Sequence, residues 1–160
     1  MKRIVVTVIG SATEAHHERS TAVGLYLAQA GVHLLTGGGG GVMAAVSKSF
    51  VEGAPERGLA IGIIPCEPTK PTKAKRGYPN ASVELCIRTH LDGTDGPKSH
   101  SSRNHINVLS ADLVVRLPGG QGTQAEWELA EAYERPRVDL QESPISEISA
   151  LLHDALTRLG

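Results

Sequence analysis

The fold is decided by the stretch ADLVVRLPGGQGTQAEWELAEAYE, residues 111–134. Its apolar beginning, 111–117, is typical of a buried strand. The turn that follows contains a proline and three glycines, and the remainder is rich in Ala and Glu, which favour a helix. The stretch therefore predicts a strand, a glycine-rich turn and a helix, which is the repeating unit of α/β proteins.

The same unit recurs along the chain. Further strands are predicted at 3–9, 32–36, 59–65 and 83–89, with a short edge strand within 135–140. Helices are predicted at 14–30, 42–53, 101–110 and from about residue 144 onward. Because strands and helices alternate, we expect one Rossmann-like α/β domain over 1–160, a doubly wound, mainly parallel sheet with helices on both faces.

One segment does not fit this alternation. Residues 66–82 carry three prolines and four basic side chains, Lys70, Lys73, Lys75 and Arg76. The composition predicts a long mobile loop. Its basic cluster is either a solvated surface or a lid over an anionic ligand.

Composition excludes several classes of protein. The 160 residues are 40% apolar but only 3% aromatic, and the net charge of -1 offers no field that would attract nucleic acid or an anionic membrane. Two cysteines make no disulfide framework. The apolar N-terminal run is better explained as a buried strand than as a signal sequence, and no run approaches the ~20 residues that span a bilayer. We expect a cytoplasmic protein without nucleic-acid or membrane partners.

Glycine-rich loops follow three of the predicted strands, as GSAT (10–13), TGGGGG (36–41) and PGGQGT (118–123). Ligands of doubly wound sheets bind beyond the carboxyl ends of the strands, so we expect the three loops at one edge. Bare glycine backbone at a helix start binds phosphate; the alternative is close packing of helix on strand. The candidate phosphate-binding residues are Gly10, Ser11, Gly38, Gly39, Gly40, Gly41, Gly119, Gly120, Gly122 and Thr123.

Polar residues near these loops allow two interpretations. Thr123 and Glu126 have the spacing of a capping box, in which both side chains satisfy backbone N–H groups; alternatively, Glu126 faces a ligand. Arg103 and Asn107 are four residues apart and would share one helix face directed toward the same edge. The seven histidines include no pair at i,i+4 spacing, and neither a metal motif nor a nucleophile elbow is present, so no metal site is predicted.

The motifs TGGGGGVM and LPGGQGTQAE, on this order of strands, resemble the Lonely Guy (LOG) superfamily, often labelled "possible lysine decarboxylase", over about residues 3–136. The block SRNHINVLSADLVVRLPGGQGT is more similar to one branch, the molybdenum cofactor carrier proteins. The resemblance implies a homo-oligomer, dimer or tetramer, that binds a small phosphorylated ligand of nucleotide or pterin type. The molybdenum cofactor or a nucleotide would then be a bound ligand, with no cofactor required.

LOG enzymes themselves are phosphoribohydrolases that release bases from nucleoside 5′-monophosphates. This alternative assigns catalytic roles to Arg103 and Glu126, which match the arginine and glutamate of the enzymes' motifs. The chain departs from those motifs at Ser101, Asn104 and Ala125, which favours a carrier. The decarboxylase label lacks support, since Lys48 is the only lysine near a glycine loop and nothing marks it as a Schiff-base residue.

Overall fold

The computed structural model describes residues 2–160. Eight strands are formed: β1 (Val5–Ile9), β2 (His33–Thr36), β3 (Ala60–Ile64), β4 (Cys66–Glu67), β5 (Lys70–Ala74), β6 (Leu85–Arg88), β7 (Leu113–Arg116) and β8 (Arg137–Asp139). The α-helices are α1 (His17–Gln29), α2 (Val42–Gly53), α3 (Asn104–Leu109), α4 (Gln121–Ala132) and α5 (Ile148–Thr157), the last preceded by a 3-10 turn, Ile145–Glu147. No helix within residues 2–160 is both long and apolar enough to cross a membrane.

Six strands form one parallel sheet in the order β6-β3-β2-β1-β7-β8. The chain builds outward from β1 through β2 and β3 to one edge, then returns to place β7 on the other side of β1. The strand order therefore reverses between β1 and β7, and ligands of such sheets bind at this switch point. The predicted Rossmann-like α/β fold is confirmed.

Helices cover both faces of the sheet. Helices α1, α2 and α5 pack on one face, where Val8, Leu34 and Phe50 are fully buried. Helices α3 and α4 pack on the opposite face over a smaller cluster that includes Val108 and Val114. Aliphatic side chains dominate both clusters, as a core with few aromatic residues requires.

The segment 66–82 differs from the loop expected there. Strands β4 and β5 pair as a small antiparallel hairpin, with a bulge between Cys66 and Glu67. Sequence patterning misses β5 because its residues, KPTKA, carry no apolar alternation and are almost all exposed. A backbone hydrogen bond from Lys75 N–H to the Pro65 carbonyl (3.1 Å) ties the end of the hairpin to the end of β3.

Strand β6 forms one edge of the sheet, and all four of its residues are exposed. Leu85 and Ile87 lie on one face of it and remain 44% and 43% exposed. Parallel sheets normally bury both faces, so this edge is a departure from the usual pattern.

Candidate functional site

Backbone hydrogen bonds join the three glycine-rich loops at the carboxyl edge of the sheet. Ser11 N–H, after β1, donates to the Pro118 carbonyl after β7 (2.8 Å). The Ser11 carbonyl in turn accepts from Val42 N–H at the start of α2 (2.8 Å). The loops after β1, β2 and β7 therefore form one connected structure around the switch point.

Two glycines make this contact possible because a side chain would not fit. A Cβ on Gly41, whose φ is 58°, would lie 2.2 Å from the Ser11 carbonyl oxygen. On Gly119 it would lie 2.0 Å from Thr123 Oγ1 and 2.8 Å from Ser11 N. These glycines serve close packing of the loops against one another.

Gly120 and Gly122 have a different environment. A Cβ built on either would have no heavy atom of the described chain within 4 Å, apart from its own neighbours. Both line a cavity of about 280 Å³ that opens at the switch point. Their absent side chains therefore leave space for a ligand.

The residues that line this cavity, called the switch-point cavity below, come from five segments of the chain. They are Gly10, Ser11, Ala12, Thr13, Met43, Tyr78, Arg103, Asn104, Gly120, Gly122, Thr123 and Glu126. Seven of them were candidates from the sequence: Gly10, Ser11, Arg103, Gly120, Gly122, Thr123 and Glu126. The other candidates, namely Gly38, Gly39, Gly40, Gly41, Gly119 and Asn107, lie outside the cavity lining.

The glycine run 37–41 packs against side chains that form part of the cavity wall. A Cβ on Gly37 would lie 2.6 Å from Arg103 Nη2, and one on Gly39 would lie 2.7 Å from Met43 Cε and 3.0 Å from the Tyr78 ring. The missing side chains thus give room to three larger side chains that do line the cavity. Both interpretations of the glycine loops therefore apply, but to different glycines: Gly119 and the run 37–41 serve packing, whereas Gly120 and Gly122 leave open space.

Helix α4 begins at the cavity, which is lined by Gly120, Gly122 and Thr123. Its N-cap is Gly120, and within residues 2–160 no side chain caps it. Thr123 lies inside the first turn and is buried, so the capping-box interpretation of Thr123 and Glu126 is wrong. A helix start without a side-chain cap has free N–H donors and a partial positive charge, both of which attract anions.

Glu126 lies one turn deeper and contacts the polar side chain of Asn107. Asn107 Nδ2 donates to Glu126 Oε1 at 3.3 Å, and Asn107 is fully buried. Burial raises the pKa of Glu126 above its ordinary value, while the Arg103 charge and the Asn107 hydrogen bond oppose the rise. A carboxyl group in this setting takes up a proton more readily than an ordinary glutamate.

Arg103 is positioned from three directions. Its Nη1 donates to Asn104 Oδ1 (2.5 Å), its Nη2 donates to the Gly37 carbonyl (3.3 Å), and its guanidinium lies over the Tyr78 ring, 5.8 Å from the centroid. Its Nε is buried without a hydrogen-bond partner in the described part of the chain. The guanidinium is held at the wall of the cavity as a fixed cation.

A model of the SLOG cluster4 family matches residues 3–157, nearly the whole chain. The chain belongs to the SLOG cluster4 family. Together with the structural relatives below, this match confirms the resemblance to the LOG superfamily. No curated protein sequence matches the chain.

Solved structures related to this SLOG protein include two molybdenum cofactor proteins. The molybdenum cofactor carrier protein from Chlamydomonas reinhardtii is 26% identical in sequence and has a TM-score of 0.73. The alignment with it covers 99% of this chain and 98% of the carrier protein. The molybdenum cofactor binding protein from Rippkaea orientalis is 28% identical, with coverages of 99% and 87% and a TM-score of 0.65. DNA processing protein A from Helicobacter pylori is 16% identical and has a TM-score of 0.64, with 95% of this chain and 81% of that protein covered. At this identity the likeness shows only that the two proteins share a fold.

Sequence reasoning missed several residues of the cavity in this SLOG protein. Tyr78 comes from the segment after the hairpin, which is anchored where Asn80 N–H donates to the Gly38 carbonyl (2.7 Å) and Asn80 Nδ2 to the Gly39 carbonyl (2.9 Å). Met43, Asn104, Ala12 and Thr13 are the others. Asn104 departs from the enzyme motif, and its place next to Arg103 is the signal that could have identified it. Lys48 is exposed on α2 and does not line the cavity.

Proposed function

We propose that the protein binds a small phosphorylated ligand of nucleotide or pterin type in the switch-point cavity and acts as a carrier of the molybdenum cofactor type. The observation that carries the proposal is the start of α4, where no side chain of the described residues caps the helix and Gly120 and Gly122 leave the approach open. A phosphate there would accept hydrogen bonds from the first N–H groups of α4. The two molybdenum cofactor relatives support the pterin type of ligand.

The neighbouring side chains suit the rest of such a ligand. Arg103 supplies a cation at the wall, and Thr123 and Ser11 line the cavity beside the helix start. Ser11 Oγ already accepts from the Glu14 N–H at 2.9 Å, so its side chain shapes the loop more than it serves a ligand. Glu126 lines the same cavity, where it would accept a hydrogen bond from the non-phosphate part of the ligand.

The proposal is tested by calorimetry with a nucleoside 5′-monophosphate, a pterin phosphate and their dephosphorylated forms. We expect the phosphorylated compounds to bind at least about tenfold more tightly, because charge-assisted hydrogen bonds contribute roughly 1.5–3 kcal/mol each. Gly120→Val should abolish binding of the phosphorylated compounds while the fold survives, because its side chain enters the open space. Gln121→Val is the matched control, since residue 121 is exposed on the same turn and does not line the cavity. Unchanged affinity in folded Gly120→Val would refute the proposal.

The second candidate function is hydrolysis of a nucleoside 5′-monophosphate by a LOG-type reaction. One observation favours it: Arg103 and Glu126 line the same cavity, with Glu126 placed to stabilise a developing ribosyl cation and Arg103 to hold a phosphate. Release of free base by the wild type, lost in Glu126→Gln, would establish this activity in place of the carrier function.

We also propose that the protein forms a homo-oligomer, dimer or tetramer, and works in the cytoplasm. The exposed Leu85 and Ile87 on edge strand β6 support self-association, because a second copy of the protein packed over this strand would cover the apolar face that a parallel sheet normally buries. Cys66 and Cys86 are both free, which suits a reducing compartment.

A further inference from the structure

A second cavity, of about 240 Å³, lies directly beside the switch-point cavity. The two share Tyr78, Arg103, Asn104 and Gly122 as a common wall. Pockets for small ligands usually begin near 300 Å³, so each cavity alone is small for a nucleotide, whereas the two together fall within the usual range. A ligand whose phosphate lies at the start of α4 has room to place its ring system in the second cavity.

The second cavity adds two charged side chains, Lys75 and Asp92. Lys75 is fixed through its backbone: its N–H donates to the Pro65 carbonyl and its carbonyl accepts from Tyr78 N–H, both at 3.1 Å. Asp92 Oδ1 accepts from the N–H and from the hydroxyl of Thr94, both at 2.9 Å. Both of these bonds fall on one carboxylate oxygen, so Oδ2 is left to accept from a ligand.

Neighbouring residues also determine the charge state of Asp92. The hydrogen bonds from Thr94 lower the pKa of Asp92 below its ordinary value, and the nearby Lys75 lowers it further. At neutral pH the carboxylate is ionised and can only accept hydrogen bonds, whereas the Lys75 ammonium can only donate them. A ring edge that contacts both groups must offer donors to the carboxylate and an acceptor to the ammonium.

This requirement separates two classes of heterocycle. A 2-amino-4-oxo pyrimidine edge, shared by guanine and the pterins, has an amino group and a ring N–H side by side, with a carbonyl beyond them. The edge of adenine offers one amino group beside a ring nitrogen that accepts, and this nitrogen would face the carboxylate lone pairs. A site built to hydrogen-bond particular groups rejects analogues that lack them.

Building on the proposed function, we propose that Lys75 and Asp92 recognise the ring of the ligand and select a 2-amino-4-oxo edge over adenine. The Asp92 carboxylate accepts from the amino group and ring N–H, and the Lys75 ammonium donates to the carbonyl. Arg103 and Tyr78, which belong to both cavities, lie between the ring site and the phosphate site.

Calorimetry of the full-length protein with GMP, IMP, AMP and 6-hydroxymethylpterin phosphate tests this selection. IMP lacks only the 2-amino group of GMP, so we expect GMP to bind about tenfold more tightly than IMP, which corresponds to one hydrogen bond to a charged group, and more tightly than AMP. In Asp92→Asn, both nucleotides should bind more weakly, because both lose the bond from the ring N–H. GMP should lose more affinity than IMP, because it also loses the bond from the amino group, so the preference for GMP over IMP should disappear. The Asn side chain retains an oxygen for the Thr94 bonds, so the loop should keep its shape.

Asp95→Asn is the matched control, because Asp95 is an exposed acid of the same loop that does not line either cavity. It should leave the preference for GMP intact. Tighter binding of the pterin phosphate than of GMP would identify a pterin as the ligand. Tighter binding of GMP would identify a guanine nucleotide. Both results support selection of a 2-amino-4-oxo edge over adenine. Equal affinities for GMP, IMP and AMP, or a preference for AMP, would overturn the inference while phosphate binding stands. If no phosphorylated compound binds, the proposed function fails and the inference fails with it.

Discussion

Replacement of Glu126 by Gln should stabilise the protein. The Asn107 amide donates to Glu126 Oε1 at 3.3 Å, while Asn107 Oδ1 is buried without a hydrogen-bond partner in the described chain. A Gln amide can keep the first bond through its oxygen and donate to the orphaned oxygen through its nitrogen. One new hydrogen bond contributes about 0.5–1.5 kcal/mol. Burial disfavours the charged form of the Glu126 carboxylate, and the Gln variant does not carry this charge.

The stabilisation should depend on pH. The native pKa of Glu126 is raised above the ordinary value of 4.5, so the unfolded chain releases this proton first as pH rises. Stability of the wild type is therefore lost from about the ordinary glutamate pKa up through the raised native pKa. Glu126→Gln cannot titrate, and its advantage over the wild type should be larger at pH 8 than at pH 5.

Urea unfolding at the two pH values measures the effect, with Glu126→Ala as the second variant. Alanine leaves Asn107 Nδ2 without its partner as well, so it should be about 1–3 kcal/mol less stable than the Gln variant. For a chain of this size, 1 kcal/mol corresponds to a melting shift of about 2–4 °C. A Gln variant no more stable than the wild type at pH 8, or a difference that does not change with pH, would refute the reasoning.

Two further predictions concern glycines and self-association. Gly119→Ala should lower stability, because its Cβ would lie 2.0 Å from Thr123 Oγ1. Gly122→Ala should raise stability by about 0.5–1 kcal/mol, because the space around Gly122 is open and alanine favours a helix. Urea unfolding measures both variants, and equal effects would contradict the packing described. Leu85→Lys should dissociate the proposed oligomer in sedimentation equilibrium, while Leu109→Lys, at an equally exposed leucine on α3, should not. An oligomer that survives the first change and not the second would place the interface elsewhere.

The sheet could be predicted from the sequence because the pattern that indicates each strand lies within the strand itself. Each strand of the main sheet except the short edge strand β8 has its own apolar run, and alternation with helices requires parallel crossovers. The position of the three glycine loops at one edge followed from the same rule. The bond from Ser11 N–H to the Pro118 carbonyl and the bond from Val42 N–H to the Ser11 carbonyl confirm it. Hairpin β4–β5 was missed because KPTKA has no pattern that distinguishes it from a loop.

The details of the cavity were less predictable because they depend on contacts between distant segments. Tyr78 reaches the cavity because Asn80 binds the glycine run some forty residues earlier in the chain, and no local pattern encodes that contact. The spacing of Thr123 and Glu126 fits a capping box only if Thr123 is the N-cap and α4 begins at residue 124. The helix begins at Gln121, because the turn lets Gly120 serve as its N-cap, and Glu126 is freed to face the cavity.

The backbone bonds among the glycine loops have a consequence for the thermodynamics of binding. Ser11 N–H and Val42 N–H are paired with main-chain carbonyls of neighbouring loops, so bonds within the protein itself order the main chain of the cavity. Fixing one residue of a flexible loop costs about 1–2 kcal/mol of conformational entropy, which a ligand of this protein does not have to supply. Its affinity can therefore come from few direct contacts, and its release can leave the loops unchanged, ready for the next molecule.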